Sequence, residues 1–314
     1  MTPNPTTLSR RSFLRTAEGT LAATWLASAG LSSATSLLAA EGKHRSLKKA
    51  VKYGMIKIPG SIEDKFNLIK SLGFLGVEMD APTSIDKTEA VRARDKTGIQ
   101  IHGCIDAVHW QTRLSDPDPA VRAKAVETLK LALQDAKFLG ATTVLVVPGK
   151  FSNPETENYE QVYERSQEGI RKALPVAEQT GVKIAVEVVW NNFITKPDEF
   201  VAYLDAFQNP MVGGYLDMSN MLKYGVPDSV WVRKLGKRML KFDFKGWKHD
   251  AAWTPGEKGT WVDIGDGDEN WPEVLKALDD IGYHGWATAE VSGGGRKELQ
   301  DVADRMNRIL DLGS

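Results

Sequence analysis

Ile184-Ala185-Val186-Glu187-Val188-Val189-Trp190 sets one carboxylate inside a run of six apolar residues. A short run this rich in β-branched side chains reads as a buried strand, and Thr180-Gly181 before it reads as the stop of a preceding helix. The same alternation extends in both directions. Strands are expected at Lys52–Ile58, Leu75–Met79, Ile99–Ile105, Thr143–Val147, Lys183–Val189, Gly213–Asp217, Leu240–Phe244 and Trp286–Val291. Between them, Asp64–Leu72, Lys87–Thr97, Pro119–Leu139, Tyr159–Gln179, Pro197–Phe207, Asp228–Leu235, Pro272–Ile281 and Lys297–Leu312 carry helical periodicity.

Buried strands alternating with helices imply parallel pairing through crossover connections. Eight such units make the expected fold an α/β protein with a single-domain (β/α)8 TIM barrel. An open doubly wound sheet would share the alternation. Closure is favoured because the chain from Val51 onward is close to the roughly 250 residues usual for such barrels. In addition, Ile58-Pro59-Gly60-Ser61 stands where a nucleotide-binding sheet would carry its Gly-rich turn.

Residues 1–40 read differently. Ser9-Arg10-Arg11-Ser12-Phe13-Leu14 precedes an uncharged Ala, Leu, Ser and Thr stretch from Gly19 to Ala40, which resembles a twin-arginine export signal. The expected organisation is this signal at 1–40, a linker at 41–50 and the barrel at 51–314. It implies a periplasmic or otherwise exported protein, delivered by the twin-arginine machinery, with no stable membrane insertion after cleavage. Cys104 is the only cysteine, so folding needs no intrachain disulfide. Over 314 residues the net charge is -1, which leaves no Lys/Arg excess to track phosphates and argues against nucleic acid as a partner.

In barrels of this kind catalytic groups sit at strand C-termini. Each of the last four strands offers one acid there: Glu187, Asp217, Asp243 and Glu290. A carboxylate in an apolar strand is costly unless paired or bound to a cation, and converging anions raise one another's pKa. A shared divalent ion answers both problems. The alternative is private pairing with Lys183, Lys241, Lys245 or Arg238. Glu78 on the second strand, and Asp106, His109 and Trp110 after the third, are substrate-side candidates. His102 reads as an interior histidine. Lys245 either holds a substrate oxygen or neutralises the carboxylates. Trp190, Trp247, Trp253 and Trp261 fall in or near strand-end loops, and the stretch from Trp247 to Trp271 reads as a loop over the site.

Several motifs taken together resemble the sugar phosphate isomerase/epimerase family of xylose isomerase-like barrels. They are Val186-Glu187-Val188-Val189-Trp190-Asn191, Leu216-Asp217-Met218-Ser219-Asn220 with Lys223-Tyr224-Gly225, Leu235-Gly236-Lys237-Arg238, Gly265-Asp266-Gly267 with Asn270-Trp271-Pro272, and Gly285-Trp286 with Glu290. The resemblance implies a metal held by Glu187, Asp217 and Glu290 as first, second and fourth ligands, with Asp243 in the place of the usual third ligand, a His. It also implies that Glu187 and Glu290 act as acid and base beside a small carbohydrate. Asn220 stands where the epimerases carry a substrate-contacting His. Asp243 makes the ligand set all oxygen, which moves the preference toward Mn2+ or Mg2+, with Co2+ and Zn2+ as alternatives.

The expected function is metal-dependent sugar isomerisation or epimerisation, by proton transfer next to a metal-bound carbonyl on a non-phosphorylated sugar. Elimination from 3-keto-glycosides by a lyase or hydratase would use the same residues. A non-catalytic sugar-binding barrel is a third reading, and a homo-oligomer is compatible with all of them. The DNA-repair endonucleases of the superfamily need a histidine-rich three-zinc cluster, for which five His in these positions are unsuited.

Overall fold

The computed structural model describes residues 47–151, 153, 155, 157–257 and 259–310; the expected export signal and most of the expected linker lie outside them. Eight parallel strands close into a barrel: β1 (Lys48–Lys52), β2 (Gly76–Ala81), β3 (Gln100–Asp106), β4 (Thr143–Val146), β5 (Lys183–Glu187), β6 (Val212–Asp217), β7 (Met239–Phe244) and β10 (Trp286–Ala289). Pairing of β1 with β10, Lys48 opposite Trp286 and Val51 opposite Ala289, completes the ring. Among the described residues no helix is long and apolar enough to cross a membrane.

The helices are α1 (Ile62–Ser71), α2 (Lys87–Thr97), α3 (Pro119–Leu139), α4 (Tyr159–Thr180), α5 (Pro197–Asp205), α6 (Asp228–Leu235), α7 (Trp271–Asp280) and α8 (Arg296–Leu310). Their ends follow local chemistry. Ser61 with Asp64, and Asn158 with Gln161, form reciprocal capping boxes at α1 and α4, satisfying N–H groups that have no partner within the helix. Gly98, Gly140 and Gly181 end α2, α3 and α4 in the left-handed conformation, which a glycine adopts without steric penalty.

Two expectations are corrected. The first strand runs Lys48–Lys52 rather than Lys52–Ile58, because Tyr53–Met55 turns as a short 3-10 helix directly after it. The 247–271 connection is not structureless. Trp247–His249 (β8) pairs antiparallel with Gly259–Trp261 (β9), Trp247 opposite Trp261.

Most of the apolar core lies between the strands and the surrounding helices, with Phe66, Phe200, Trp231 and Phe242 among its fully buried members. Inside the barrel a small apolar layer of Leu145, Ala185 and Tyr215 gives way to charge. Side chains of a strand alternate between its faces, so the β7 face that carries Lys241 inward also carries Asp243, and the β5 and β6 faces that carry Ala185 and Tyr215 carry Glu187 and Asp217.

Candidate active site

The four late-strand acids converge. Glu187, Asp217, Asp243 and Glu290 each offer an oxygen within 4.8 Å of the others. Asp217 and Asp243 are fully buried, and Glu187 is nearly so. Asp217 Oδ1 accepts the backbone N–H groups of Ser219 at 2.8 Å and Asn220 at 3.0 Å, so the turn after β6 fixes this carboxylate and aims its second oxygen at the ring. The Asn220 amide in turn donates to Glu187 Oε1 at 3.4 Å.

Two ammonium groups stand among these acids. Lys245 Nζ lies 3.0 Å from Asp217 and 2.8 Å from Glu290. Lys52 Nζ lies 2.9 Å from Glu78 and 2.8 Å from Asp243. Part of the private pairing alternative is therefore realised, by Lys245, one of the four cations named from the sequence, and by Lys52, which is not among them. Arg238 is taken by Asp205 on the surface, and Lys241 contacts His102 Nδ1 at 2.9 Å. Lys52 is the residue that sequence reading missed. With the first strand placed four residues late, it looked like a strand start instead of the C-terminal end where function concentrates.

Burial sets the electrostatics. It raises the Glu187 carboxyl, the charge of Glu290 adds to the rise, and Lys52 opposes it. Asp217 is raised by burial against the pull of Lys245, and Asp243 is raised well up by burial against Lys52. Glu290 goes the other way. Burial opposes its ionisation, yet Lys52 and Lys245 together hold it down at about 2. Both lysines stay charged, because the surrounding carboxylates outweigh their desolvation.

The ring opens into a cavity of about 230 Å3 whose lining includes Lys52, His109, Trp110, Glu187, Trp190, Asn220, Lys245, Trp261 and Glu290. One wall is aromatic: Trp190 and Trp261 stack with centroids 4.7 Å apart and planes 14° apart. The Trp190 indole N–H donates to the Asn220 carbonyl at 2.6 Å, and Trp247 meets Trp190 edge-on at 5.6 Å. Trp110 is half exposed at 52%. His109 is buried, its Nδ1 facing the Val147 N–H at 3.5 Å; burial, and then Lys52, push it down to about 4.

Two sequence candidates, Glu78 and Trp253, lie outside this cavity, and His102 takes the interior place expected of it. Glu78 is buried and lies outside the cavity lining, tied to Lys52 and to the Tyr215 hydroxyl at 3.0 Å. A Cβ at position 103 would fall 2.5 Å from Glu78 Oε1 and 2.8 Å from Lys241 Nζ, so glycine there makes room for the polar layer. His102 is interior, as its sequence position suggests, stacked on Trp286 at 4.4 Å. Trp253 packs against His249, with centroids 3.9 Å apart, and is not among the residues lining this cavity.

The donor set suits a hard divalent cation. Across an ion with oxygen ligands at roughly 2.1–2.4 Å, opposite ligands stand roughly 4.2–4.8 Å apart, which the mutual spacing of these four carboxylates allows. Asp217 Oδ2 and Asp243 Oδ2 are buried and are approached by Lys245 at 3.0 Å and Lys52 at 2.8 Å. A carboxylate oxygen has two lone-pair sites, so each keeps acceptor capacity beyond its lysine.

Residues 66–310 match the xylose isomerase-like TIM barrel family model. The chain belongs to that family. A curated relative of this xylose isomerase-like barrel is the L-ribulose-5-phosphate 3-epimerase UlaE of Escherichia coli O1:K1, 24% identical over 169 residues. That match covers 50% of the chain and 59% of the relative, so the chain spans little more than half the relative's length. Among solved structures, 3-keto-D-glucoside 4-epimerase from E. coli superposes with a TM-score of 0.70 at 16% identity, over 84% of this chain and 98% of the other. D-allulose 3-epimerase from Methylomonas sp. superposes at 0.67 and 18% identity, over 84% and 96%. These superpositions establish the shared barrel.

Proposed function

We propose that the protein is a metal-dependent sugar isomerase or epimerase acting on a non-phosphorylated sugar or sugar derivative. The observation that carries this reading is the meeting of Glu187 and Glu290 in one cavity, beside Asp217, Asp243 and a stacked tryptophan wall. Curated relatives named as L-ribulose-5-phosphate 3-epimerases support the epimerase part of this reading.

Glu187, Asp217 and Glu290 would hold one divalent ion, Mn2+ or Mg2+ by the all-oxygen donor set, with Asp243 as the fourth carboxylate. When bound, such an ion polarises a substrate carbonyl. The residues of the chain do the rest. Trp190 and Trp261 present an aromatic face to the C–H surface of the sugar. One of Glu187 and Glu290 takes the proton from the carbon beside the carbonyl, the C–H electron pair forming a C=C bond as the carbonyl π pair moves onto oxygen; the other returns a proton to carbon. Asn220 orients Glu187.

A non-phosphorylated substrate is favoured by the cations of the cavity. Lys52 and Lys245 each already serve two carboxylates, so the site offers no net positive charge to a phosphate dianion. Export through the arginine pair near the N-terminus agrees with this.

Elimination from a 3-keto-glycoside begins with the same proton abstraction. The half-exposed Trp110 among the lining residues supplies an apolar face for an aglycone. Purified protein with Mn2+ should be assayed by NMR against free ketoses and against a 3-keto-glucoside. Interconversion of ketoses supports the first reading, and release of the aglycone replaces it with the second. Inertness toward both sets, at full metal loading, refutes the enzymatic reading.

A further inference from the structure

We propose that Lys52 is a catalytic residue of this site, donating a hydrogen bond to the substrate oxygen that gains negative charge as the neighbouring carbon loses its proton. The inference rests on the proton-transfer reading above and adds the group that stabilises its charge.

Lys52 ends β1 on the cavity side and lines the cavity with Glu187 and Glu290. Its side chain is only 11% exposed. The ammonium is held in a closed ring of contacts. It meets Glu78 Oε2 at 2.9 Å and Asp243 Oδ2 at 2.8 Å, while the Tyr215 hydroxyl lies 3.0 Å from Glu78 Oε2 and 2.6 Å from Asp243 Oδ1. The Tyr215 ring itself lies under the ammonium, its centroid 5.3 Å away. A lysine carries three N–H donors. Two carboxylates account for two of them, and the third is left for the cavity. Lys245 is held in a comparable way, by Asp217 and Glu290 and over the Trp261 ring at 4.8 Å, but both of its acids belong to the ring that would hold the ion, whereas Glu78 beside Lys52 does not.

An anchored donor of this kind suits transition-state stabilisation, because its orientation is set before the charge develops and little reorganisation is needed. The electron pair of the broken C–H bond forms a C=C bond to the carbonyl carbon as the C=O π pair moves onto oxygen, the proton passes to a glutamate carboxylate, and the Lys52 N–H meets the oxyanion without losing its own proton. Asp243 thereby acquires a role a histidine would not fill. It is a positioning residue for Lys52, and its carboxylate provides the counter-charge that keeps the ammonium in place.

The test is solvent deuterium exchange into the carbon beside the carbonyl, followed by NMR with Mn2+-saturated protein and the ketoses and 3-keto-glucoside named above. Exchange reports the shared first step whichever product follows. Lys52→Met should lower its kcat by about 100-fold or more with KM changed by less than about 3-fold, and with Mn2+ affinity unchanged. Lys52→Arg keeps the charge and both ion-pair partners but displaces the donor, so it should fold normally and recover only part of the rate. Compared at equal Mn2+ occupancy, so that its place in the carboxylate ring does not enter, Asp243→Asn should lower kcat with Lys52 present and have little further effect in Lys52→Met. Wild-type exchange matched by Lys52→Arg and Lys52→Met at full metal loading overturns the role of Lys52. Absence of exchange in the wild type overturns the proton-transfer reading and the inference with it.

Discussion

The Lys245 ammonium lies 2.8 Å from the Glu290 carboxylate, and the same nitrogen lies 3.0 Å from Asp217. A protein side chain thus already neutralises two of the four acids that the divalent ion would share. Cation and lysine repel each other across a few ångströms of low-dielectric interior, so they compete for the same negative charge.

Removing that competitor should strengthen metal binding. Lys245→Met is expected to raise Mn2+ affinity by about 10-fold, since relief of roughly 1.4 kcal/mol of repulsion is one decade, and to lower the stability of the metal-free protein, which then holds unpaired buried carboxylates. Calorimetric titration with Mn2+ and urea unfolding in chelator measure the two effects. Weaker metal binding in the variant would show that Lys245 supports the ion rather than opposing it.

The carboxyl of Asp106, at the end of β3, predicts a pH dependence. It is 2% exposed, and burial pushes it up to about 6 from an ordinary 3.8, against the hydrogen bond it accepts from the Val108 N–H. The folded state therefore binds this proton more tightly than the unfolded state does. Its contribution to stability is fully present below about pH 4 and is lost as pH rises through 6. Asp106→Asn keeps an acceptor for Val108 and removes the titration. It should gain roughly 1–3 kcal/mol over wild type at pH 8 relative to pH 4, read from urea midpoints at both pH values. An equal difference at the two pH values contradicts the assignment.

Trp261 comes from β9, and its stack on Trp190 builds the aromatic wall. Trp261→Ala removes that face without touching a carboxylate. It should raise KM for the sugar by about 10-fold, a typical worth of one well-placed aromatic contact, with kcat changed by less than about 3-fold. Steady-state kinetics decide it. A fall in kcat with KM unchanged would mean that Trp261 acts on the chemistry, through the Lys245 ammonium beneath it.

Much of this site was legible in the chain because its acids contradict their surroundings. Glu187 among valines and Asp243 between phenylalanines stand out as charges that a buried strand does not otherwise tolerate. The helices were legible from their apolar periodicity, with terminal glycines such as Gly181 marking their ends locally. What stayed hidden depends on distant pairing. The register of β1 is set by Trp286 to Ala289, more than two hundred residues away, and that register decides whether Lys52 opens a strand or closes one. The β8–β9 hairpin rests on two three-residue strands, too short for an alternating pattern. Glu78 was seen, but its partners on β1 and β6 follow only from closure of the barrel.

The central claim is that the four carboxylates hold one divalent ion. Metal content and Mn2+ titration of the wild type, Asp217→Asn and Glu187→Gln test it most directly. The account predicts one ion per wild-type chain, and affinity reduced by about 100-fold in each variant, the upper end of what losing a charged ligand's support costs a metal site. A wild type that binds no ion near neutral pH, or variants that bind it as tightly as the wild type, would contradict it.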